Sequence, residues 1–328
     1  MIVHERFSPH HDRYDHHAGP SLDTGDSQDT ATITGEEDAL RESRTNGPGH
    51  MPETLDLSTD IGEGYGVYPA PMQPWRAEMQ RGGEIIPSVV DLPSPRQVMV
   101  LVSSVSLACG FHGGDPLLIK EYIEVATETG CAVGAHPSFP DRAGFGNRYM
   151  EIPARELKAI IQYQLGAVAG FLAIRGLSLH HVKCHGALYN HSMVDEALAQ
   201  IVAEAVAEYG ASLPLYGLPD SALEDVTGRL GLPFWREGFA DRAYHEDGSL
   251  VDRNRDDAMV LDPQQVAERV ARMAKEGVVL SVEGSEVHVI PRTICFHPDT
   301  PGMMLMLEKA RRLLTECGVM VDNKTRGT

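Results

Sequence analysis

The chain has 328 residues, 42% of them apolar and 6% aromatic, and carries a formal net charge of −19. That length holds one large α/β domain or two smaller ones, and the apolar share is ample for a core. Acidity on this scale argues against nucleic acid or an anionic membrane surface as the main partner.

Five cysteines, Cys109, Cys131, Cys184, Cys295 and Cys317, are odd in number and form no C-x-x-C pair. They read as reduced thiols in a reducing compartment. No run of about 18 apolar residues is evident, so no membrane span is expected. The first residues lack the basic-then-apolar layout of a signal peptide. The expectation is a soluble, cytoplasmic protein.

Residues Met1 to Gly49 show no sustained apolar period and are rich in His, Asp, Ser, Thr, Gly and Glu. A disordered tail over residues 1–50 and a single barrel domain over 51–328 are expected. Met51 stands directly before the first plausible strand and is a candidate for the true start. The His10-His11 and His16-His17 pairs offer at most weak, compositional metal binding.

Thr54 to Asp60 alternates, placing Asp56, Ser58 and Asp60 on one side of a strand that runs into the Gly62-Glu63-Gly64 loop. Residues 68–97 hold five prolines and a Gly-Gly pair with little period, and read as a long loop or insertion. Val98 to Ala108 reads as a buried strand ending in C-G-F-H-G-G-D-P. There Asp115 and Pro116 are suited to cap and open a helix that stops at Gly130. Cys131 to Ala135 is the next strand and delivers His136. A helix over 154–175 follows, then a short strand that brings Lys183 and His185 out on one side and Cys184 on the other.

The cadence continues with a helix over 195–209, a strand over 213–217, a helix over 221–230 and a strand over 234–239. Asp262-Pro263 starts a helix ending at Gly277, and Val278 to Ile290 reads as a hairpin. Thr293 to Phe296 presents His297 and Asp299 before the last helix. About seven strands alternating with helices imply a parallel α/β fold, most economically closed into a barrel.

The polar clusters fall where strands end and loops begin: Asp60 with Glu63, His112 with Asp115, and His136 with Asp141. Lys183 with His185 and Asn190, Asp241 with Arg242, and His297 with Asp299 complete the set. In a parallel barrel those loops converge on one face, where such folds place chemistry. Neither a G-x-x-x-x-G-K-[ST] phosphate loop, a G-x-G-x-x-G turn after the first strand, nor a G-x-S-x-G elbow is present. What remains is carboxylates, imidazoles and a lysine, the kit for water activation and proton transfer at a carbonyl. His112, His136, His185 and His297 with Asp56 or Asp60 could also hold a divalent metal, although no helical H-x-E-x-H-type spacing enforces one.

From Leu55 to the last helix the chain resembles the LamB/YcsF family, the A subunit of prokaryotic-type 5-oxoprolinase. The matching segments are D-L-S-T-D-I-G-E-G-Y-G, S-L-A-C-G-F-H-G-G-D-P, G-A-H-P-S-F-P-D-R-A-G-F-G, H-V-K-C-H-G-A-L-Y-N, F-A-D-R-A-Y-H-E-D-G-S-L-V and I-C-F-H-P-D-T-P, in family order. The resemblance implies an irregular (β/α) barrel similar to the glycoside hydrolase/deacetylase group. It further implies opening of the 5-oxoproline lactam to glutamate with ATP as co-substrate, in company with subunits B and C.

On that reading Lys183 and His185 stabilise the developing oxyanion or phosphate, and Asp60 or Glu63 orients or deprotonates water. His112 and His136 shape the pocket. Asp56, Asp115, Asn190, Asp241, Arg242, His297 and Asp299 stand as substrate-binding candidates. The sequence departs from the family at Ser58-Thr59, at Cys184 where a proline is usual, and at Pro298 where a glycine is usual. Two alternatives stay open: a stand-alone metal-dependent amidohydrolase or deacetylase, and a non-catalytic lactam-binding protein of the same assembly.

Overall fold

A computed structural model describes residues 54–64, 93–253 and 255–322. The expected tail, Met51 and most of the expected insertion lie outside the described residues. The elements in order are β1 (Thr54–Ile61), α1 (Pro95–Met99), β2 (Ser104–Ala108), α2 (Pro116–Thr129), β3 (Ala132–His136), α3 (Ala154–Ile174), α4 (Gly186–Ser192) and α5 (Glu196–Gly210). They continue with β4 (Leu215–Gly217), α6 (Ala222–Leu230), β5 (Phe234–Phe239), α7 (Pro263–Glu276), β6 (Val278–Leu280), β7 (Glu286–His288), β8 (Thr293–Phe296), α8 (Met303–Glu316) and β9 (Met320–Val321).

The parallel strands lie in the order β3-β2-β1-β8-β5-β4, with β9 added to the start of β1. Val182 bridges Ala135 of β3 and Leu215 of β4, parallel to both, and so closes the ring. The Lys183 amide donates to Ala135 O at 3.0 Å, and the Tyr216 amide to Val182 O at 2.9 Å. The expected seven-position (β/α) barrel is thus found, made irregular by a seventh member that pairs through one residue only. The hairpin of β6 and β7 stands apart as an antiparallel pair.

The run from Val98 to Ala108 divides instead of forming one strand. Ser94 and Gln97 make a reciprocal capping box and Pro95 takes the first helical position, so α1 forms and β2 begins only at Ser104. The same cap removes residues 95–97 from the expected loop. Other helix starts were legible: Asp115, Asp195 and Asp262 each accept two first-turn amides, and Gly130, Gly231 and Gly277 end their helices at positive φ.

Helix α3 departs from the expectation that no apolar span exists, because its length and composition would suffice to cross a bilayer. Its Leu157, Ile161, Leu165, Val168 and Leu172 are buried in the barrel's main core. Lys158 on its outer side reaches Glu204 and Glu208 of α5 at 2.8 Å. A core helix meets the same length and composition test as a membrane span.

Alternation along β1 puts Leu55 and Leu57 in the apolar core shared with the helices, and Asp56, Ser58 and Asp60 on the opposite side. The barrel interior is therefore polar and has to satisfy itself. The Asp56 carboxylate accepts from Ser103 Oγ at 2.6 Å, Ser104 Oγ at 2.8 Å, Thr293 Oγ1 at 2.7 Å and the Tyr216 hydroxyl at 3.1 Å. Beside it, His181 stacks on Tyr216 and meets Ser106 Oγ at 3.1 Å. Asp56 is a structural knot, about 13 Å along the strand from Asp60. Asp56→Asn is expected to lower stability by about 1–3 kcal/mol, read as a shift in urea midpoint, with turnover per folded molecule unchanged.

Candidate active site

Lys183 is the cation around which one end of the barrel is built. Its Nζ lies 3.1 Å from Asp60, 2.8 Å from Glu237 Oε1 and 3.1 Å from Cys295 Sγ. Those three contacts engage all three ammonium protons. Burial by itself would depress this amine, but Asp60 and Glu237 outweigh it and hold its pKa well above the usual lysine value. Burial likewise pushes Asp60 up, yet His136, Lys183 and His297 hold it well below the usual carboxylate range. Glu237 goes the other way: burial raises it more than Lys183 lowers it, and the Tyr189 hydroxyl donates to it at 2.9 Å.

Next to this group three imidazoles pack together. The His136 Nδ1–H donates to Lys183 O at 2.8 Å, and the His185 Nε2–H donates to Phe145 O at 2.8 Å. Their other nitrogens, His136 Nε2 and His185 Nδ1, lie 3.1 Å apart. His112 stacks on His185 with ring centroids 3.7 Å apart, and both of its nitrogens are buried without a hydrogen bond. Glu63 Oε1 is 3.5 Å from His112 Nε2 and from His185 Nδ1. Burial, then repulsion by Asp60 and Asp299, pushes Glu63 up to about 8. Burial also drives His136 down to about 3 and the other two rings well below the usual histidine value.

Two glycines allow this closeness. A Cβ on Gly113 would stand 2.5 Å from Glu63 O, so any side chain there would displace the Glu63 loop. Gly186 sits at φ +56°, and a Cβ there would come within 2.5 Å of Gly146 O. That contact lets the Ala187 amide donate to Gly146 O at 2.9 Å and tie the Phe145 loop to α4.

A third unit is His297. Its Nδ1–H donates to Asp241 Oδ1 at 2.7 Å, while Asp241 Oδ2 accepts from the Thr300 hydroxyl at 2.6 Å and the His297 amide at 3.2 Å. Burial opposes ionisation of Asp241, but His297 and Thr300 hold its pKa down to about 2. Phe239 stacks on the ring and fixes its plane.

A cavity of about 650 Å³ opens over these groups. Of the residues singled out in the sequence, Asp60, His136, Lys183, His185, Asn190, Arg242 and His297 line it. Asp241 backs His297, Glu63 and His112 lie behind His185, and Asp299 is near enough to bear on Glu63. Asp56 and Asp115 are not brought to it: the first is the knot described above, and the second caps α2 by accepting from Leu117 and Leu118 amides. Cys184 is buried with its thiol pushed up to about 12 by desolvation, which disfavours a thiolate nucleophile.

The sequence reading missed Glu237, Tyr189, Cys295 and Arg253. Glu237 had a signal, because it falls between Trp235 and Phe239 on the buried face of β5. A carboxylate at that register needs a cation opposite it.

The chain matches the LamB/YcsF family over residues 88–327. The chain belongs to that family. LamB/YcsF relatives include the 5-oxoprolinase A subunit of Heliobacterium modesticaldum, 39% identical over 267 residues, which are 81% of this chain and 96% of the relative. The protein of the same name from Bordetella pertussis is 39% identical over 272 residues, 83% of this chain and 99% of the relative. A LamB/YcsF-type barrel is also seen in the crystal structure of the lactam utilization protein from Thermus thermophilus. It is 38% identical with a TM-score of 0.72, over 83% of this chain and 100% of that one.

Proposed function

We propose that this chain is the A subunit of a 5-oxoprolinase, opening 5-oxo-L-proline to L-glutamate with coupling to ATP hydrolysis and in company with subunits B and C. The reading is carried by one observation. Lys183, Asp60 and the Asp241–His297 pair converge on a single cavity, in a chain spanning nearly the whole length of relatives that bear that name.

Hydrolysis joins a water oxygen to the lactam carbonyl carbon, breaks the ring C–N bond and leaves a proton on the departing nitrogen. His297 Nε2, with Nδ1 tied to Asp241, is placed to take a proton from water and return it to that nitrogen. Lys183 has no free N–H for an oxyanion, so it acts through its fixed charge and by keeping Asp60 ionised. Asp60, as an obligate anion, orients the water. ATP supplies the drive for opening a stable five-membered amide, and the phosphoryl step falls to the partner subunits.

Arg242 is the candidate for the substrate carboxylate. Its Nη2 donates to Val251 O at 2.6 Å, whereas its buried Nε has no hydrogen-bond partner among the described residues. Lysine lacks the planar fork that such an anion needs. Arg242→Lys is therefore expected to raise KM for 5-oxoproline about tenfold or more with a smaller change in kcat, measured in steady-state assays.

The test is glutamate release from 5-oxo-L-proline by the purified chain, with and without ATP and with its B and C partners. Turnover that requires both ATP and partners supports the reading. ATP-independent turnover of another amide by the chain alone would favour the metal-dependent amidohydrolase, the alternative suggested by the imidazole cluster. No glutamate in any combination would overturn the assignment.

A further inference from the structure

The tautomers of two buried histidines are set by backbone carbonyls, which only accept. His136 gives Nδ1–H to Lys183 O and His185 gives Nε2–H to Phe145 O. Each neutral ring then has one bare nitrogen, and the two bare nitrogens face one another at 3.1 Å. Two lone pairs at that separation repel unless a cation lies between or beside them.

A shared proton would satisfy that pair and no more. His112 stands beside it, 2% exposed, with both ring nitrogens buried and without a hydrogen-bond partner among the described residues. Glu63 Oε1 approaches both His112 Nε2 and His185 Nδ1 at 3.5 Å, and the four donor atoms all lie within 4.8 Å of one another. Ligands about 2.0–2.1 Å from a tetrahedral zinc ion are about 3.3 Å apart. The separations in this cluster bracket that edge. His112 and His185 are parallel within 5°, so their lone pairs converge only if one ring turns. His112 has no hydrogen bond to prevent it.

We propose that His112, His136 and His185 are the three protein ligands of a divalent transition-metal ion of the zinc class, with Glu63 facing its open position. Three imidazoles suit zinc, cobalt or nickel and do not suit magnesium or calcium, which take oxygen ligands. The neighbouring set of Asp60, Cys295 and His297 is the lesser candidate, because the Lys183 ammonium already lies against Asp60 and Cys295. The site stands apart from the lactam assignment, since its test reads binding and not turnover.

The full chain, stripped with chelator, is titrated with Co²⁺ and Zn²⁺ at neutral pH. One Zn²⁺ per chain at micromolar affinity or tighter is expected, together with the intense visible bands of four-coordinate Co²⁺. His112→Gln, chosen because it breaks no hydrogen bond, is expected to weaken Zn²⁺ binding at least 100-fold, and His136→Gln to do the same. Circular dichroism and thermal unfolding confirm that each variant is folded; a variant that fails to fold is replaced by the corresponding asparagine. Absence of stoichiometric binding overturns the proposal. So does binding that survives both substitutions, which would place the ion elsewhere, for example on the His10-His11 and His16-His17 pairs.

Discussion

Replacing Lys183 with methionine is expected to destabilise the barrel by about 3–5 kcal/mol and to abolish turnover. The side chains are similar in length, so packing changes little and the effect is electrostatic. Without the ammonium, the Asp60 carboxylate loses its cation in a site where its side chain is 9% exposed, and Glu237 loses its partner at 0%. An uncompensated buried charge is costly, and a carboxyl can escape only by taking up a proton. Glu237 already tends that way, because its burial outweighs the pull of Lys183. Asp60 does not, since Lys183, His136 and His297 together hold it ionised against its burial.

Most of the penalty therefore belongs to Asp60, and the double variant Lys183→Met with Asp60→Asn is expected to recover the greater part of the lost stability. It is not expected to recover activity, because both the fixed charge and the water-orienting anion are gone. Thermal unfolding of the two single variants and the double variant reads the coupling directly. A fall of roughly 10 °C in Tm is expected for Lys183→Met, at about 2–4 °C per kcal/mol for a domain of this size. A Tm equal to the parent's would show that the ammonium is not the partner that makes burial of Asp60 tolerable.

The same cluster shows what a linear reading can and cannot see. Lys183, Asp60 and His136 announce themselves, because each is a charged or titratable residue at the end of an apolar run followed by glycine or proline. Barrel topology then gathers strand ends without further information. Glu237 lies inside its strand, where only pairing of β5 with β8 and the closure through Val182 bring it opposite Lys183. Cys295 reads locally as core for the same reason. Asp56 illustrates the converse error: alternation correctly puts it on the face that carries Asp60, but position along the strand decides whether that face meets substrate or a ring of hydroxyls. The Val98 run misled because β-branched composition was weighed above the Ser94, Pro95 and Gln97 start signal. Strand-end chemistry was legible, whereas depth within the barrel depends on register, which no single segment encodes.

The Asp241–His297 pair carries the second large prediction. Nδ1 of His297 is committed to Asp241 Oδ1, so the ring presents Nε2 to the cavity in one tautomer, and Phe239 fixes its plane. His297→Gln is expected to reduce kcat by about 10²–10⁴ with little change in KM, the range associated with a positioned general acid–base group. Asp241→Asn tests positioning separately, because it leaves the imidazole in place. An amide cannot accept from the Thr300 hydroxyl, the His297 amide and His297 Nδ1–H through two oxygens as the carboxylate does. The ring should lose its fixed tautomer, and kcat should fall within the same range.

The carboxylate also leaves a mark on stability that is independent of catalysis. A folded pKa of about 2 against an ordinary 3.8 means that Asp241 stabilises the fold fully above about pH 4. That increment, about 2 kcal/mol at 1.36 kcal/mol per unit, is lost as pH falls through about 2. Asp241→Asn should therefore be less stable than the parent at pH 7, and the gap should close progressively below pH 4. Urea midpoints measured from pH 7 to pH 2 follow that convergence. A gap that stays constant with pH would mean that Asp241 contributes by packing alone, and a full kcat in Asp241→Asn would remove His297 orientation from the mechanism.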